Sequence, residues 1–274
     1  MTPARSGQAL AARVLSTVGS HDGIQLLAEG MSSSAWRATV DGTPYVVRVP
    51  KGDGLRPLPR YEQEAHLLAD LARRGVPVAT TTIVELGDAT CSLAEEIRGD
   101  PVRPNDWTSA LVQEMHEALR IVHETDPALA VESDVVARFH LARIWPFDGT
   151  RLDDHPMAAR WPERVAAVAA REAGIRLAGA APATVVHTDL HWDHILVADG
   201  RLVGLLDFGD AFAGPAAWDD ACLRYYHGPA VVGPLTEDAR LLSIAFVLYK
   251  LAKTPARADV VERVDAVLRD ALAG

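Results

Sequence analysis

Short apolar runs separated by Gly, Asp, Ser and Pro fill the first third of the chain, and apolar residues at three- and four-residue spacing fill much of the rest. Alternating or β-branched runs bounded by turn formers favour strands, whereas an i, i+3, i+4 recurrence favours an amphipathic helix. Leu10, Val14 and Leu15 therefore mark an N-terminal amphipathic helix, and strands are expected over 24–28, 35–40 and 45–49, the last two joined at Asp41-Gly42. A helix over 59–74 carries Ala65, Leu68, Leu71 and Ala72 on one face and ends at Gly75-Val76-Pro77-Val78. Two more strands, 80–86 and 90–94, flank Gly87-Asp88. Beyond residue 98 the pattern turns helical, with helices expected over 110–124 (apolar Leu111, Met115, Leu119 and Val122), 161–177, 237–251 and 260–272. One hairpin interrupts them: 195–197 and 202–206 lie on either side of Asp199-Gly200, a strong two-residue turn signal.

Composition narrows the function classes. At 274 residues and 49% hydrophobic content the chain can fill a sizeable core. A net charge of −10 disfavours nucleic acid, whose binding rests on clustered Lys and Arg. It permits a cationic small molecule drawn to an acidic cleft, although most excess acid simply keeps a surface soluble. No apolar run is long enough to span a bilayer, so no membrane partner is expected. Residues 1–20 contain Arg5 and Arg13 but no compact apolar stretch, unlike a secretory signal. Cys91 and Cys222, far apart, read as two buried thiols in a reducing, cytoplasmic setting. Oligomeric state is left open.

The chemistry concentrates in His187-Thr188-Asp189-Leu190-His191-Trp192-Asp193-His194 and, after the hairpin, Asp207-Phe208-Gly209. Phosphoryl transfer needs one group to hold the accepting hydroxyl and others to hold the cation on the nucleotide phosphates. Asp189 suits the first role, and His194 with Asp207 suits the second. Upstream, the small-residue loop 30–34, with Gly30, Ser32 and Ser33, would let backbone N–H groups and hydroxyls approach phosphate oxygens.

His187-x-Asp189 with a ligand at 194 and Leu206-Asp207-Phe208-Gly209 resembles the aminoglycoside and macrolide phosphotransferases, antibiotic kinases related to the protein kinases. Their usual pattern is H-G-D-x-x-x-x-N, a hairpin, then I-D-W/F-G. The stretch from Gly209 through Trp218-Asp219-Asp220-Ala221 is similar to that family's G-D-A-x-x-G-D-P-x-x-D-L-A, except that Pro215-Ala216 replaces Asp-Pro. His194 replaces the usual Asn, as in the macrolide branch. The resemblance implies an α+β, bilobal protein-kinase-like fold: an N-terminal antiparallel sheet lobe with one main helix (1–97) and a larger, mostly helical catalytic and substrate-binding lobe (98–274). It implies that ATP or GTP donates a phosphoryl group to an antibiotic hydroxyl with Mg2+, or Mn2+ as the softer ion, at Asp207 and His194. It further implies that His187 braces the loop, that Arg48 (with Lys51 a nearby competitor) meets the phosphates, and that Glu64 orients that cation. Backbone groups at Glu95 and Ile97, before the Gly99–Pro101 hinge, would meet the base. Trp192, Asp210, Asp219 and Asp220 would line the acceptor side, Asp219 being equally suited to a structural role.

Three alternatives stay open. The acceptor could be a hydroxylated metabolite. His191-x-Asp193-His194 also reads as the H-x-D-H of zinc hydrolases, which would need further ligands from later loops. The missing Asn would fit a non-catalytic, ligand-binding relic. His123, at a helix end, is assigned no chemistry.

Overall fold

The computed structural model describes residues 3–30, 33–51, 61–87, 89–130 and 144–273. The chain divides into two compact units, Met1–Asp100 with Val203–Gly209, and Pro101–Leu202 with Asp210–Gly274.

The first unit is built on an antiparallel sheet of five strands: β1 (His21–Glu29), β2 (Ser33–Val40), β3 (Thr43–Pro50), β4 (Thr81–Leu86) and β5 (Ala89–Glu95), ordered β1-β2-β3-β5-β4. Asp41 and Gly42 both take positive φ, 47° and 87°, as a two-residue turn matched to strand twist requires. Alternation places Trp36, Ala38 and Val40 of β2 with Val47 and Val49 of β3 in one core, where the Pro3–Leu15 helix adds Ala11, Val14 and Leu15. The Tyr61–Arg73 helix buries Ala65, Leu67, Leu68 and Leu71; the other part of the 59–74 expectation, residues 59–60, lies outside the described residues. That helix closes with Gly75 at φ 91°, Gly75 N–H donating to the Ala72 carbonyl and Val76 N–H to Leu71. These paired bonds form the Gly-terminated cap that absorbs orphan carbonyls at a helix end.

In the second unit the Glu237–Lys253 helix is buried around most of its circumference, including Leu242, Ile244, Phe246, Val247, Leu248 and Leu251. A helix apolar on all sides belongs at the centre of its domain, and here the Glu172–Gly179, Ala217–His227 and Ala258–Leu272 helices pack on it. The Ser109–His123 helix starts at Thr108, whose side chain accepts from Leu111 N–H, and buries the four apolar residues expected of it. The single helix expected over 161–177 is instead two, Pro162–Ala169 and Glu172–Gly179. The Arg171 guanidinium sits at the break, donating to the carbonyls of Ala167 and Leu272. A short pair completes the unit, β7 (Thr184–Val186) antiparallel with β10 (Phe212–Gly214); β6 (Asp100–Pro101), β8 (Ile195–Ala198) and β9 (Arg201–Leu205) form a separate sheet in the order β6-β8-β9. Asp199 and Gly200 turn the last hairpin with φ of 51° and 73°. Among the described residues no helix is long and apolar enough to cross a membrane.

Candidate active site

Residues 187–194 leave β7 as a loop whose backbone is gripped by one face of the Ala217–His227 helix. The Asp219 carboxylate accepts from His187 N–H at 2.9 Å and from Thr188 N–H at 2.8 Å. Three residues on, the Cys222 thiol donates to the Thr188 carbonyl and accepts from Leu190 N–H, both at 3.3 Å. At the helix end His227 Nε2 lies 2.9 Å from the Leu190 carbonyl. The spacing 219, 222, 227 follows the helical repeat, so a single surface meets the loop at successive peptide groups. From the other side His123 Nε2 stands 3.0 Å from Asp219.

The electrostatics agree with that geometry. Asp219 is 0% exposed. Burial alone would raise its pKa, but bonds and charge from His123, the His187 ring and Thr188 N–H outweigh it and hold the carboxyl below its usual range. Burial likewise opposes charge on His123, yet Asp219 and Asp220 prevail and raise its pKa. His227 goes the other way: burial pushes it down to about 4. A neutral His227 must donate Nε2–H to the Leu190 carbonyl, because a carbonyl can only accept.

His187 and His194 both sit on the gripped loop. His187 is fully buried, and its Nδ1 accepts from Asp189 N–H at 3.3 Å. His194 Nδ1 lies 2.8 Å from the Asp189 carbonyl and 3.4 Å from a carboxylate oxygen of the same residue. A carbonyl can only accept, so Nδ1–H is the donor to it. Thr188 holds φ at 74°, a region costly for a β-branched side chain, and its hydroxyl donates to the Asp210 carbonyl at 3.2 Å.

The first unit carries its own constellation. Arg48 on β3 grips both oxygens of Glu64, from Nη1, at 2.6 and 2.8 Å, and its Nη2 lies 3.3 Å from Asp207 Oδ1. Glu64 is 5% exposed, which a carboxylate tolerates because the guanidinium is bidentate on it. Lys51 does something else: its ammonium donates to the Gly30 carbonyl at 2.8 Å. Gly30 N–H closes on the Ser33 carbonyl at 2.9 Å; Ser33 is buried at the start of β2, and the Ser34 hydroxyl accepts from Trp36. Ser32 lies outside the described residues. A Cβ on Gly209 would come within 3.2 Å of both Arg48 and Asp207, so the glycine admits the close approach of these groups. Asp207 itself is exposed at φ 61°. Glu95 is exposed at the end of β5 and Ile97 is half-buried beyond it, while Glu96 between them pairs with Arg37.

The residues expected on the acceptor side divide. Trp192 is half-buried with its ring edge-on to Tyr226 and His227. Asp210 is half-buried. Asp219 is corrected from ligand contact to internal brace, since both its oxygens are committed and it has no exposed surface. Asp220 is half-buried, and burial and neighbouring Asp219 raise its pKa. The zinc alternative loses its donor set. His191 Nδ1 accepts from Asp193 N–H, and the described residues contain no group of three His, Cys, Asp or Glu able to hold a metal. His123, Cys222, His227 and Lys250 were missed; only the helical spacing of 219, 222 and 227 could have pointed to any of them.

A five-stranded sheet bearing an Arg–Glu pair beside Asp207, and a helical unit bearing a clamped His-x-Asp loop, define a protein-kinase-like fold. Residues 23–258 match the phosphotransferase enzyme family, and the chain belongs to it. It is a phosphotransferase. No curated protein matches the sequence. Among solved structures, aminoglycoside phosphotransferase APH(4)-Ia in complex with ADP and hygromycin B is similar at 17% identity and TM-score 0.64, covering 98% of this chain and 99% of that one. Spectinomycin phosphotransferase APH(9)-Ia with ADP and spectinomycin gives 12% identity and TM-score 0.64, covering 97% of each. ADP-bound aminoglycoside phosphotransferase APH(2'')-Ib gives 16% and 0.61, covering 95% and 96%. At these identities the likeness speaks for the fold.

Proposed function

We propose that the protein transfers the terminal phosphoryl group of ATP or GTP to a hydroxyl of a small-molecule antibiotic and so confers resistance. The observation that carries this reading is the Asp189 loop, held at successive peptide groups by Asp219, Cys222 and His227. Phosphoryl transfer asks the protein mainly for positioning and electrostatic stabilisation, and a rigidly held carboxylate supplies the first. Asp189 accepts the hydrogen bond of the attacking hydroxyl and aligns it. His187 braces the loop from inside. Arg48, oriented by Glu64, meets the nucleotide phosphates with Gly30, Ser32 and Ser33, while backbone groups near Glu95 and Ile97 meet the base.

Asp207 offers the hard, exposed oxygen that magnesium prefers, and His194 offers Nε2, a donor better suited to manganese. When bound, a divalent cation neutralises charge on the phosphates. Solved relatives in complex with ADP and hygromycin B or spectinomycin support a nucleotide and an antibiotic as the co-substrates.

The test is mass spectrometry of an antibiotic panel incubated with the protein, magnesium and either ATP or GTP. A product 80 Da heavier, about the mass of one added phosphoryl group, is expected from at least one drug and is absent with Asp189→Asn. A panel unchanged with both nucleotides contradicts the antibiotic assignment.

A further inference from the structure

The loop's outer side carries an aromatic layer beside the exposed carboxylates of Asp189 and Asp193. Trp192 and His191 meet the Tyr226 ring edge-on, with centroids 6.0 and 4.9 Å away, and Tyr225 follows at 4.9 Å from Tyr226. Two cations are set into this aromatic layer. Lys250 donates to the Tyr226 hydroxyl at 2.7 Å, with its ammonium 5.0 Å from the centroids of Tyr226 and Phe246. The Arg263 guanidinium lies 5.2 Å from both the Trp192 and Tyr225 rings.

Asp193 is exposed beside His191, and Asp259 serves Arg257 and Arg263. Asp189 is reserved for the hydroxyl. No carboxylate of the described residues ion-pairs with Lys250, although Asp189 and Asp210 act on it electrostatically. A half-buried ammonium without a carboxylate partner is expensive to keep, and beside a reacting loop it marks a place for a ligand's negative charge. Aromatic faces next to it suit a flat group.

We propose that the acceptor aligned by Asp189 carries a flat unsaturated group, seated on Trp192 and Tyr226, and a carboxylate or phosphate held by Lys250, with the Arg263 guanidinium, already paired with Asp259, beside it. This rests on the kinase reading above and gives the acceptor an anionic group rather than the cationic character that the net charge permits. A polyamine drug would bring its ammonium groups against Lys250 and Arg263, and like charges at close range repel.

The test uses the whole chain and three probes sharing one 4-hydroxyphenyl ring: 4-hydroxyphenylacetate, uncharged tyrosol and cationic tyramine, titrated calorimetrically. The acid is expected to bind about tenfold tighter than tyramine, with tyrosol between, as one favourable charge contact allows. Phenyl phosphate in parallel separates the two anion sources: tighter binding of it or of the acid names the phosphate or the carboxylate. Lys250→Gln should erase the preference and Lys250→Arg keep it; Arg263→Gln should halve it at least, and serves should Lys250→Gln not fold. Tyramine binding equally or more tightly, no probe binding at millimolar concentration, or a preference that survives Lys250→Gln and Arg263→Gln together would overturn the proposal. Loss of turnover in Lys250→Gln with unchanged probe discrimination would also overturn it, by placing Lys250 at the transferred phosphoryl. If the anion wins but neither nucleotide supports phosphorylation of any acceptor, the kinase reading fails instead, and the acceptor assignment goes with it.

Discussion

Asp219 Oδ1 accepts the N–H of Thr188 at 2.8 Å and so holds a β-branched residue at φ 74°, where its side chain crowds its own backbone. The same carboxylate takes His187 N–H and His123 Nε2 on its other oxygen. Asn at 219 would set an NH2 group against one of these donors. Asp219→Asn should cost about 2–4 kcal/mol of stability, the range for breaking a buried charged hydrogen-bond network. Chemical denaturation checks the loss, and turnover should fall with nucleotide affinity largely retained.

Thr188 stands where the resembling family has Gly, and its conformation explains why Gly is usual. Non-glycine residues in this region carry about 1–3 kcal/mol of strain. Thr188→Gly gives that strain up but loses the hydroxyl bond to Asp210 and gains unfolded-state entropy of about 0.5–1 kcal/mol. The glycine variant should therefore unfold within about 1 kcal/mol of the parent. Thr188→Val keeps the strain and loses the bond, so it should be the less stable of the two in the same denaturation series.

Acid should weaken the fold through His227. The unfolded chain takes up this proton near 6.5, while burial holds the folded pKa at about 4. Between those values the unfolded state binds more protons, so stability falls as pH drops from 6.5 toward 4 and levels off below. His227→Gln keeps an N–H donor for Leu190 and removes the titration. Its denaturation midpoint should change less than the parent's between pH 7 and pH 4.5. His155 and His191, also lowered by burial, leave a residual slope; His123, raised by Asp219, contributes stability present at low pH and lost as pH rises through its folded pKa.

Arg48 cannot be replaced conservatively. The guanidinium bonds Glu64 through Nη1 while Nη2 lies 3.3 Å from Asp207, and a lysine has one nitrogen for the two carboxylates. Arg48→Ala removes the charge partner of a nearly buried Glu64 and should cost about 3–5 kcal/mol. Arg48→Lys should fold and raise the nucleotide KM more than the acceptor KM in steady-state kinetics.

Much of this was legible in the chain. Asp41-Gly42 and Asp199-Gly200 announce hairpins because only such residues accept two successive positive φ values cheaply. The α+β kinase-like class and the family followed from His187, Asp189, Asp207 and Gly209 in their spacing. What stayed hidden is tertiary. Nothing local says that Cys222 bonds a loop 32 residues upstream, that His123 pairs with Asp219, or that Lys250 stands among the rings of Tyr225, Tyr226 and Phe246. The break between Ala169 and Glu172 was equally invisible, since helical periodicity continues through it and the Leu272 carbonyl that Arg171 bonds there is 101 residues distant.

The central claim is that a clamped Asp189 aligns the hydroxyl for transfer. Its most direct test is Asp189→Asn, with turnover on whichever acceptor the panel yields and nucleotide affinity measured side by side. Turnover should fall by about 10²–10⁴-fold, as when a positioned base is removed, with the nucleotide Kd unchanged within about threefold, a difference under 1 kcal/mol. A variant that turns over at the parent rate would contradict the account.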